Sequence, residues 1–437
     1  MASKSISKYI KTSNTFIFSQ DTKIKYRISE QDFIRKRKLP FEYLVLCMFR
    51  LLRKTIQIEL NNFFSELNTS VKSISSSAFI QNRKKLKPDL FYDLNHLIAE
   101  EFYNDNDENI ALYKGFRLLS IDGSTVQLPF TADLKKKYGT FNNQNKTDDV
   151  VIARVSVLYD VLNDIILDGK LCEFKKGEVS LSREHFKFAK KGDLIIMDRS
   201  YPSFESIYRL QQDGIHFLFR CKQHFSNEVK AFYQSEKKEA IIEIKPSQHK
   251  SFNELPYDKN YTISVRMLRV TLASGEIEIL MTSLIDNKKF VHKEFKTLYF
   301  KRWKIETFYN RFKNIIGVEH FSGTCNQFIQ QEFNCALYIS NMQTIMCIDA
   351  NKEVKECYKS RKYEYKVNST LSLAFIRERL IKIFYQKKES ECLLKELKEL
   401  FVQNVIPIRN GRNNKRIIDK YRQRTKPKQF NNKRLFL

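Results

Sequence analysis

The sequence lacks the residue patterns of several common kinds of functional site. Its eight cysteines are scattered without a CxxC pair, and no two of its seven histidines stand at a zinc-ligand spacing. We therefore predict neither a zinc finger nor a catalytic centre based on histidine. Dispersed cysteines of this kind are typical of reduced thiols in a cytosolic protein.

Long hydrophobic segments are lacking as well. The longest apolar run, around Tyr43 to Phe49, is far shorter than the roughly 18 residues that a transmembrane helix needs. The N-terminal sequence MASKSISKYIKTSNTF contains no apolar core of the kind found in a signal peptide. We therefore expect no export, no membrane partner and a cytoplasmic location.

Acidic residues are scarce relative to basic ones. The 437 residues include 77 Lys and Arg but only 50 Asp and Glu, which gives a net charge of +27. This excess predicts a polyanionic partner, with nucleic acid as the first candidate and an anionic membrane surface as the second. The missing export signal argues against the membrane. Length and a hydrophobic content of 42% predict two or three folded domains.

Apolar periodicity divides the chain into six segments. Residues 1–110 have helical periodicity, and from Phe116 the elements follow the order β, β, β, α, β, α, β, which is typical of a mixed α/β core. The predicted segments are a helical N-terminal domain (1–110), the first part of the core (111–221), a β-rich insertion (222–292), the last part of the core (293–330), a helical C-terminal domain (331–408) and a basic tail (409–437).

Clusters of basic residues occur at three places in the N-terminal segment, and the tail is rich in basic residues. Short helices with such clusters suit the backbone of a DNA duplex, in a helix-turn-helix-like arrangement, and a solvated helical bundle is the alternative. The tail, with eleven Lys or Arg and one acidic residue, predicts a phosphate-binding arm. The N-terminal clusters are Arg35 to Lys38, then Arg50, Arg53 and Lys54, then Arg83, Lys84, Lys85 and Lys87.

Two aspartates are predicted at the ends of buried strands. Asp122 follows the sequence LLSI and Asp198 follows LIIM, so each strand is apolar on both faces and is expected to be central. Ligand sites in α/β sheets form at strand ends. Two neighbouring carboxylates repel each other unless a cation lies between them, and Mg²⁺ or Mn²⁺ takes oxygen ligands of this kind. An ordinary turn is the alternative interpretation of Asp122-Gly123.

A polar stripe is predicted on one helix. Tyr299, Arg302, Glu306 and Lys313 stand at offsets of 0, 3, 7 and 14, which fall within roughly 60° of arc on an α-helix. A solvated charged face is the alternative. As a third carboxylate, Glu306 would complete a set able to hold two metal ions about 3.5–4 Å apart, the arrangement used for in-line attack at a phosphodiester. Arg302 and Lys313 would hold phosphates beside them.

These residues in this order resemble the DDE transposases of the IS4 type, enzymes with an RNase H-like catalytic core. The helix signature of that family, Y-(2)-R-(3)-E-(6)-K, is matched at every position of the stripe. Asp122-Gly123-Ser124 is similar to the context of the family's first aspartate. The second commonly reads D-R-G followed by Tyr or Phe, and Asp198-Arg199-Ser200-Tyr201 departs from it by Ser for Gly.

The resemblance implies a fold, a reaction and partners. The fold is an RNase H-like mixed sheet with flanking helices, interrupted by the β-rich insertion, and the N-terminal domain binds DNA ends. The reaction is metal-dependent hydrolysis at the terminal inverted repeats of an insertion sequence, followed by strand transfer. The partners are double-stranded DNA, at transposon ends and at the target, and a second copy in a homodimer. Bound to DNA, the protein would be associated with the nucleoid.

The resemblance also implies roles for individual residues. Asp122, Asp198 and Glu306 would be catalytic and would bind two divalent ions, Mg²⁺ or Mn²⁺. The implied DNA-binding or phosphate-binding residues are Tyr299, Arg302, Lys313, Arg199 and Trp303. The alternative for Arg199 is a local ion pair with Asp198, and the alternative for Trp303 is a place in the protein core. A catalytically silent DNA-binding protein and a non-transposing nuclease are the alternative functions.

Overall fold

The computed structural model of the protein describes residues 3–35, 37–67, 73–104, 110–142, 149–247, 256–272, 274–385 and 390–409. Of the predicted basic tail, only Arg409 lies within these ranges, and Lys36 of the first basic cluster lies outside them. Within the described part of the chain, no helix is both long enough and apolar enough to cross a membrane.

Helices dominate the two ends of the described chain. The first six are α1 (Ser3–Ile17), α2 (Gln20–Tyr26), α3 (Phe41–Met48), α4 (Ile56–Leu67), α5 (Ser76–Arg83) and α6 (Asp89–Asn104). Those in the middle of the chain are α7 (Ala132–Tyr138), α8 (Glu178–His185), α9 (Phe204–Gln212) and α10 (Asn227–Gln234). The last five are α11 (Glu294–Phe300), α12 (Lys304–Asn314), α13 (Asn326–Cys357), α14 (Ser369–Tyr385) and α15 (Ser390–Gln403).

Strands form one large sheet and one small one. The large sheet contains β1 (Leu118–Gln127), β2 (Thr140–Asn142), β3 (Asp149–Asp160), β4 (Ile165–Glu173), β5 (Leu194–Met197), β6 (His216–Cys221), β7 (Glu239–Ile244), β8 (Ile263–Thr271) and β9 (Ile277–Thr282). The small sheet pairs β10 (Glu364–Val367) with β11 (Val405–Ile408).

The first half of the large sheet is the predicted mixed core. Strands β1, β3 and β4 form an antiparallel meander, with a hairpin between β3 and β4. Strand β5 then lies parallel to β1, and β6 lies parallel to β5. The resulting order, β4-β3-β1-β5-β6, confirms the RNase H-like mixed sheet.

The β-rich segment continues the same sheet. Strand β9 pairs antiparallel with β6, and β8 and β7 follow outward from it. These strands therefore extend the edge that β6 would otherwise leave unpaired. The insertion boundaries at residues 222 and 292 stay a prediction.

Side chains alternate between two cores along β1. Leu118 and Val126 face a large cluster that also includes the N-terminal helices and α12 to α15. Leu119 and Ile121 face a second cluster, formed with β5, β6 and α9. Alternation with a period of two places every polar residue of β1 on a known face, which positions Asp122 on the same side as α12.

Three arginines of the N-terminal basic clusters are engaged inside the protein. Arg50 makes ion pairs with Glu59 and Glu66 on α4. Arg53 donates hydrogen bonds to the carbonyl oxygens of Ile316 and His320. Arg83, of which only 1% is exposed, pairs with Glu332 on α13 at 2.7 Å. The prediction that these clusters face DNA is therefore wrong for these three residues, because each has a specific internal partner.

Candidate active site

The sheet register brings the two aspartates together. Strands β1 and β5 pair in parallel from Leu118 with Leu194 to Ser120 with Ile196, and two further steps place Asp122 beside Asp198. Asp198 follows the last residue of β5, as predicted. Asp122, however, lies within β1 rather than at its end, because β1 continues along β3 after β5 has stopped.

Asp122 lies at the centre of the site. Its Oδ1 accepts hydrogen bonds from the backbone N–H of Gly123 at 2.9 Å and from the Tyr201 hydroxyl at 3.4 Å. Its Oδ2 lies 3.8 Å from Nη1 of Arg302. Burial is the main cause that raises the pKa of Asp122, and the charges of Glu306 and Asp198 act in the same direction, whereas the Gly123 hydrogen bond and Arg302 lower it. The resulting pKa of Asp122 is about 6. Asp122 therefore lies within electrostatic reach of both other carboxylates.

The stripe residues lie on two helices with a tight turn between them. Helix α11 ends at Phe300, a 3₁₀ turn spans Lys301–Trp303, and α12 begins at Lys304. The predicted continuous α-helix over 299–313 is therefore interrupted, although the backbone stays right-handed helical throughout. A 3₁₀ turn advances each residue by about 120° instead of 100°, so the four stripe residues do not keep the angular spacing of one continuous α-helix.

Arg302 bridges the two sides of the site. Its Nη2 donates a hydrogen bond to Oε1 of Glu306 at 3.1 Å, while Nη1 approaches Asp122. The residue is only 6% exposed, and its buried Nε has no hydrogen-bond acceptor among the described residues. A guanidinium with an unused N–H can donate a further hydrogen bond to an anionic oxygen, such as that of a phosphate.

Two other stripe residues lie at different distances from the carboxylates. Tyr299 is 7% exposed, and burial raises the pKa of its hydroxyl. The charge of Arg302 lowers this pKa and the charge of Asp198 raises it, so Tyr299 lies close to both residues and belongs to the same site. Lys313 lies about 10 Å further along α12 than Glu306, at 1.5 Å per residue. Burial lowers the pKa of Lys313, against the nearby charge of Glu319.

The two remaining predicted residues are on the surface. Arg199 is exposed, and its backbone N–H donates to Oδ1 of Asp198, but the described residues include no ion pair between the two side chains. Trp303 is 45% exposed rather than part of the core, and its ring packs 5.0 Å from the guanidinium of Arg302. Both are accessible to a ligand at the site.

Three residues around Asp122 were missed by the sequence analysis. The Tyr309 hydroxyl donates to the carbonyl oxygen of Asp122 at 2.7 Å, and Tyr201 donates to its carboxylate. Glu178, paired with Arg154, packs with Tyr201 against the bare Cα of Gly123, where an added Cβ would come within 3.3 Å of both. Tyr201 could have been found from the D-R-S-Y sequence, whereas Glu178 and Tyr309 have no local signal.

The donor chemistry of the site fits a divalent cation. Asp122 interacts electrostatically with both Asp198 and Glu306, and hard cations such as Mg²⁺ prefer carboxylate oxygens. In the described part of the chain no three His, Cys, Asp or Glu side chains already stand at ligand spacing. Arg302 lies between Asp122 and Glu306 and neutralises them, so a cation bound there would replace its guanidinium.

Known proteins resemble this chain in sequence. Residues 113–342, more than half of the chain, match a family model described as a transposase DDE domain. The transposase for insertion sequence element IS231F of Bacillus thuringiensis subsp. israelensis is 18% identical over an alignment of 416 residues, and the match covers 84% of this chain and 84% of that protein. Transposase InsG for insertion sequence element IS4 of Escherichia coli (strain K12) is 22% identical over 288 residues, covering 64% of this chain and 63% of that protein.

A solved structure aligns with most of the chain. It is the piggyBac transposase synaptic complex with hairpin DNA, with a TM-score of 0.43, 13% identity and coverage of 94% of this chain and 84% of that one. The family match spans the strands that carry Asp122 and Asp198 and the helix that carries Glu306. A DDE domain implies dependence on divalent metal and DNA as the partner. The chain therefore belongs to the DDE transposases of the IS4 type, and it is a DNA transposase.

Proposed function

We propose that Asp122, Asp198 and Glu306 are the catalytic carboxylates and that they hold two divalent ions, Mg²⁺ or Mn²⁺. The observation that carries this proposal is that Asp122 and Glu306 both contact the guanidinium of Arg302, while the charge of Asp198 acts on Asp122. When bound, the ions would activate the attacking oxygen and stabilise the leaving oxygen of a phosphodiester. The reaction would be hydrolysis at the terminal inverted repeats, followed by strand transfer.

The surrounding side chains orient the site and its substrate. The hydrogen bonds from Gly123 and Tyr201 hold the Asp122 carboxylate in one direction. Arg302, displaced from the carboxylates by cations, would turn its free donors to a DNA phosphate, with Tyr299 beside it. Lys313 and Arg199 would bind phosphates farther along the strand, and Trp303 would contact a base through its exposed face.

We also propose that the N-terminal region binds the terminal repeats and that two copies bridge two ends. In support, Arg35, Arg37 and Lys85 line a cleft of about 500 Å³ on this region, and the first two are exposed. Phosphate oxygens of a duplex are the natural ligands for such a cluster. The basic tail would add further phosphate contacts.

One assay tests the catalytic proposal. The protein is incubated with DNA carrying the terminal repeats and with Mg²⁺ or Mn²⁺, and nicked and joined products are measured. Asp122→Asn, Asp198→Asn and Glu306→Gln should each abolish both products while end binding stays within about twofold, since each removes one metal ligand. Asp213→Asn, which changes an exposed carboxylate after α9, is the matched control and should behave like the wild type.

The alternatives give different results in the same assay. Nicking without joining would assign a nuclease, and binding without either product would assign a silent DNA-binding protein. Loss of end binding in all three variants would mean that the carboxylates are structural. The mass of the DNA complex in solution tests the homodimer, which predicts two protein chains and two ends.

A further inference from the structure

Two phenylalanines are exposed to solvent near helix α7. Phe130 is 61% exposed and Phe141 is 47% exposed. Three consecutive residues of α7, Lys135, Lys136 and Lys137, are exposed as well. Exposed apolar side chains that lie together beside polar residues mark interaction sites more often than isolated ones do. We call these two phenylalanines and three lysines the α7 platform.

The two aromatic rings lie at the same end of the large sheet. Strand β3 lies between β1 and β2 and is antiparallel to both. The carbonyl oxygen of Val151 on β3 accepts a hydrogen bond from Leu128, just after β1, and Val151 pairs with Thr140 on β2. Leu128 and Thr140 are therefore level and lie two strand spacings, or about 10 Å, apart. Phe130 and Phe141 follow them in the same direction.

Helix α7 presents its lysines outward. Leu134 and Tyr138 are buried and lie one turn apart, so they fix one face of the helix against the protein. At 100° per residue, Lys136 points away from that buried face, and Lys135 and Lys137 lie on either side of Lys136. The outward surface of α7 is therefore basic rather than apolar.

Both ends of α7 are held in place. At its start, the Thr131 hydroxyl accepts from the backbone N–H of Leu134 at 3.3 Å and donates to the carbonyl oxygen of Thr324 at 3.0 Å. At its end, the Tyr138 hydroxyl donates to Oδ1 of Asn326 at 2.7 Å. These bonds connect α7 to the start of α13, so its lysines stand on a fixed support.

Direct contacts join the rings to α7. Lys135 Nζ lies 5.7 Å from the centre of the Phe130 ring. Phe141 packs edge to face with Phe174 at 5.9 Å, and the backbone N–H of Phe174 donates to the carbonyl oxygen of Tyr138 at 3.0 Å. The rings and the lysines therefore form one continuous surface.

The acidic residues near the platform do not cancel its charge. Asp133 of α7 is engaged, since its Oδ2 accepts from the backbone N–H of Asn326 at 3.1 Å. Glu173 lies 3.5 Å from Lys137, but both side chains are more than half exposed, so this ion pair is weak. Lys136 makes no ion pair within the described ranges of the chain. Exposed aromatic rings on a basic surface are typical of proteins that bind single-stranded nucleic acid.

We propose that the α7 platform binds an unpaired DNA strand, with its two phenylalanine rings stacked on bases and its lysines against phosphates. Phenylalanine has no hydrogen-bonding group, so it cannot read the polar base edges in a groove. Its ring can stack on the face of a base, which neighbouring base pairs cover in a duplex. The 10 Å between the two strands corresponds to about three nucleotides at 3.4 Å each.

Two other occupants fit this surface less well. A second copy in a symmetric contact would place the platform against itself and bring six lysines together, which repel one another. A membrane surface is bound by helices that present an apolar face, whereas the outward face of α7 carries lysines. A DNA strand supplies both partners that the platform lacks, namely anionic phosphates and aromatic faces.

The platform is separate from the carboxylate site but lies within reach of it. Eight residues of extended chain lead from Asp122 to Phe130, a length of at most about 26 Å. A strand opened at the carboxylate site would span that distance with about eight nucleotides. Binding at the platform needs neither metal nor cleavage. Asp122→Asn should therefore bind the strand as the wild type does, whatever its effect on cleavage.

The experiment measures DNA binding to the full-length protein by fluorescence anisotropy, without divalent metal and at about 0.2 M salt, where nonspecific phosphate binding is weak. The probes are a labelled thymine strand of about 12 nucleotides and a labelled duplex of the same length. The double variant Phe130→Ala/Phe141→Ala should weaken single-strand binding at least about tenfold and change duplex binding less than about twofold, because stacking requires exposed base faces.

Phe18→Ala is the matched control for the aromatic variants. Phe18 is as exposed as Phe141 but lies just after α1, outside the platform. Its removal should leave binding of both probes unchanged. Single-strand binding that the double variant weakens and Phe18→Ala does not supports the proposal. Equal weakening of the two probes by the double variant, or no weakening of the single strand, would overturn it.

The lysines are tested through the salt dependence of single-strand binding. Replacing all three platform lysines with glutamine should reduce the slope of log Kd against log salt by about 2, since each phosphate contact contributes about 0.7. The matched control replaces three exposed lysines at the C-terminal end of α13 and should keep the slope. These control residues are Lys352, Lys355 and Lys359. Equal slopes in the two triple variants would overturn the assignment of the lysines to phosphates.

Two further measurements on Phe130→Ala/Phe141→Ala test the other occupants. Loss of binding to phosphatidylserine vesicles, with single-strand binding unchanged, would assign the platform to a membrane surface. A fall in the solution mass of the DNA-free protein from two chains to one, again with single-strand binding unchanged, would assign it to a second copy. Either result would overturn the proposal, which expects weaker single-strand binding with unchanged mass and no vesicle binding.

Discussion

Arg302 in the carboxylate site and Arg83 in the helical core are both buried beside carboxylates, but they differ in how fully they are satisfied. Arg83 donates from Nε to Gln331, from Nη1 to Ser322 and from Nη2 to Glu332. Arg302 donates to Glu306, approaches Asp122 and leaves its buried Nε unused among the described residues. Arg83 therefore has a hydrogen-bond partner at each of its three nitrogens, whereas Arg302 still has a donor that a ligand could use.

Two aspartates of the same sheet show the same contrast. Asp168 on β4 accepts from His185 at 2.7 Å and from the Tyr92 hydroxyl at 2.9 Å, and it lies 3.3 Å from His96. Burial alone would raise the pKa of Asp168, but the bonds to His185 and the closeness of His96 lower it well below its usual range. Asp122, with weaker partners and two acidic neighbours, has its pKa raised instead. Burial acts in the same direction on both aspartates, so the difference between their pKa values comes from how fully each negative charge is satisfied.

The largest expected effect distinguishes the two arginines. Arg83→Met leaves the buried Glu332 without its cationic partner and should lower the free energy of unfolding by about 3–5 kcal/mol, measured by urea denaturation. Arg302→Met should cost about 1 kcal/mol or less, because Glu306 is 31% exposed and can be hydrated. DNA cleavage by Arg302→Met should nevertheless fall about 100-fold. Equal losses of stability in the two variants would contradict the comparison.

The next effect is the pH dependence of the two aspartates, measured without metal. The folded pKa of Asp122, about 6, lies above its ordinary 3.8, so the ionised carboxylate destabilises the fold and stability is lost as pH rises between these values. Asp122→Asn should therefore be more stable than the wild type by about 2 kcal/mol at pH 7, and the difference should vanish near pH 4.

Asp168→Asn provides the opposite case. Because the folded pKa of Asp168 is lowered, its stabilising contribution is present above the unfolded value and is lost as pH falls below about 4. Asp168→Asn should accordingly be less stable than the wild type at pH 7, with a smaller deficit in acid. Melting temperatures across this range measure both, and parallel curves for the two variants would contradict the assignment.

The sequence predicts the elements that carry the candidate site better than it predicts which basic residues lie on the surface. Apolar runs located β1 and β5, and the spacing of the stripe residues located the helix opposite them. The sequence predicts Asp122 at a strand end, because nothing in LLSIDGSTVQ shows that β1 extends beyond β5 and continues along β3. That extension depends on a partner strand, which local sequence does not specify.

The prediction that the N-terminal basic clusters face DNA is wrong for Arg50, Arg53 and Arg83 for a related reason. Arg83 is indistinguishable in sequence from Lys84 and Lys85, but its partner Glu332 lies 249 residues away on α13. Which cation becomes internal is decided by long-range packing, and a local charge pattern carries no information about it. The sequence analysis missed Glu178 for the same reason, because among the described residues Glu178 is linked to Asp122 through Tyr201 and the bare Cα of Gly123.

The smallest expected effect tests that packing around Gly123. In Gly123→Ala the new Cβ would lie 3.3 Å from both the Tyr201 hydroxyl and Glu178 Oε1, so these groups must move by a few tenths of an ångström. We expect a loss of about 1 kcal/mol in stability and a severalfold drop in cleavage, because Tyr201 is displaced from Asp122. Gly177→Ala is the matched control, since its Cβ would meet only the Ser180 hydroxyl at 3.8 Å.

Removing the Tyr201 hydroxyl shows which of the two close contacts causes the effect of Gly123→Ala. In a Tyr201→Phe background one of the two close contacts disappears, so adding Gly123→Ala should cost less in both stability and cleavage than it does in the wild type. Additive effects would mean that Gly123 acts through Glu178 alone. An unchanged cleavage rate in the single Gly123→Ala variant would mean that the orientation of Asp122 does not depend on Tyr201, and the contrast with the firmly held Asp168 would then rest on charge alone.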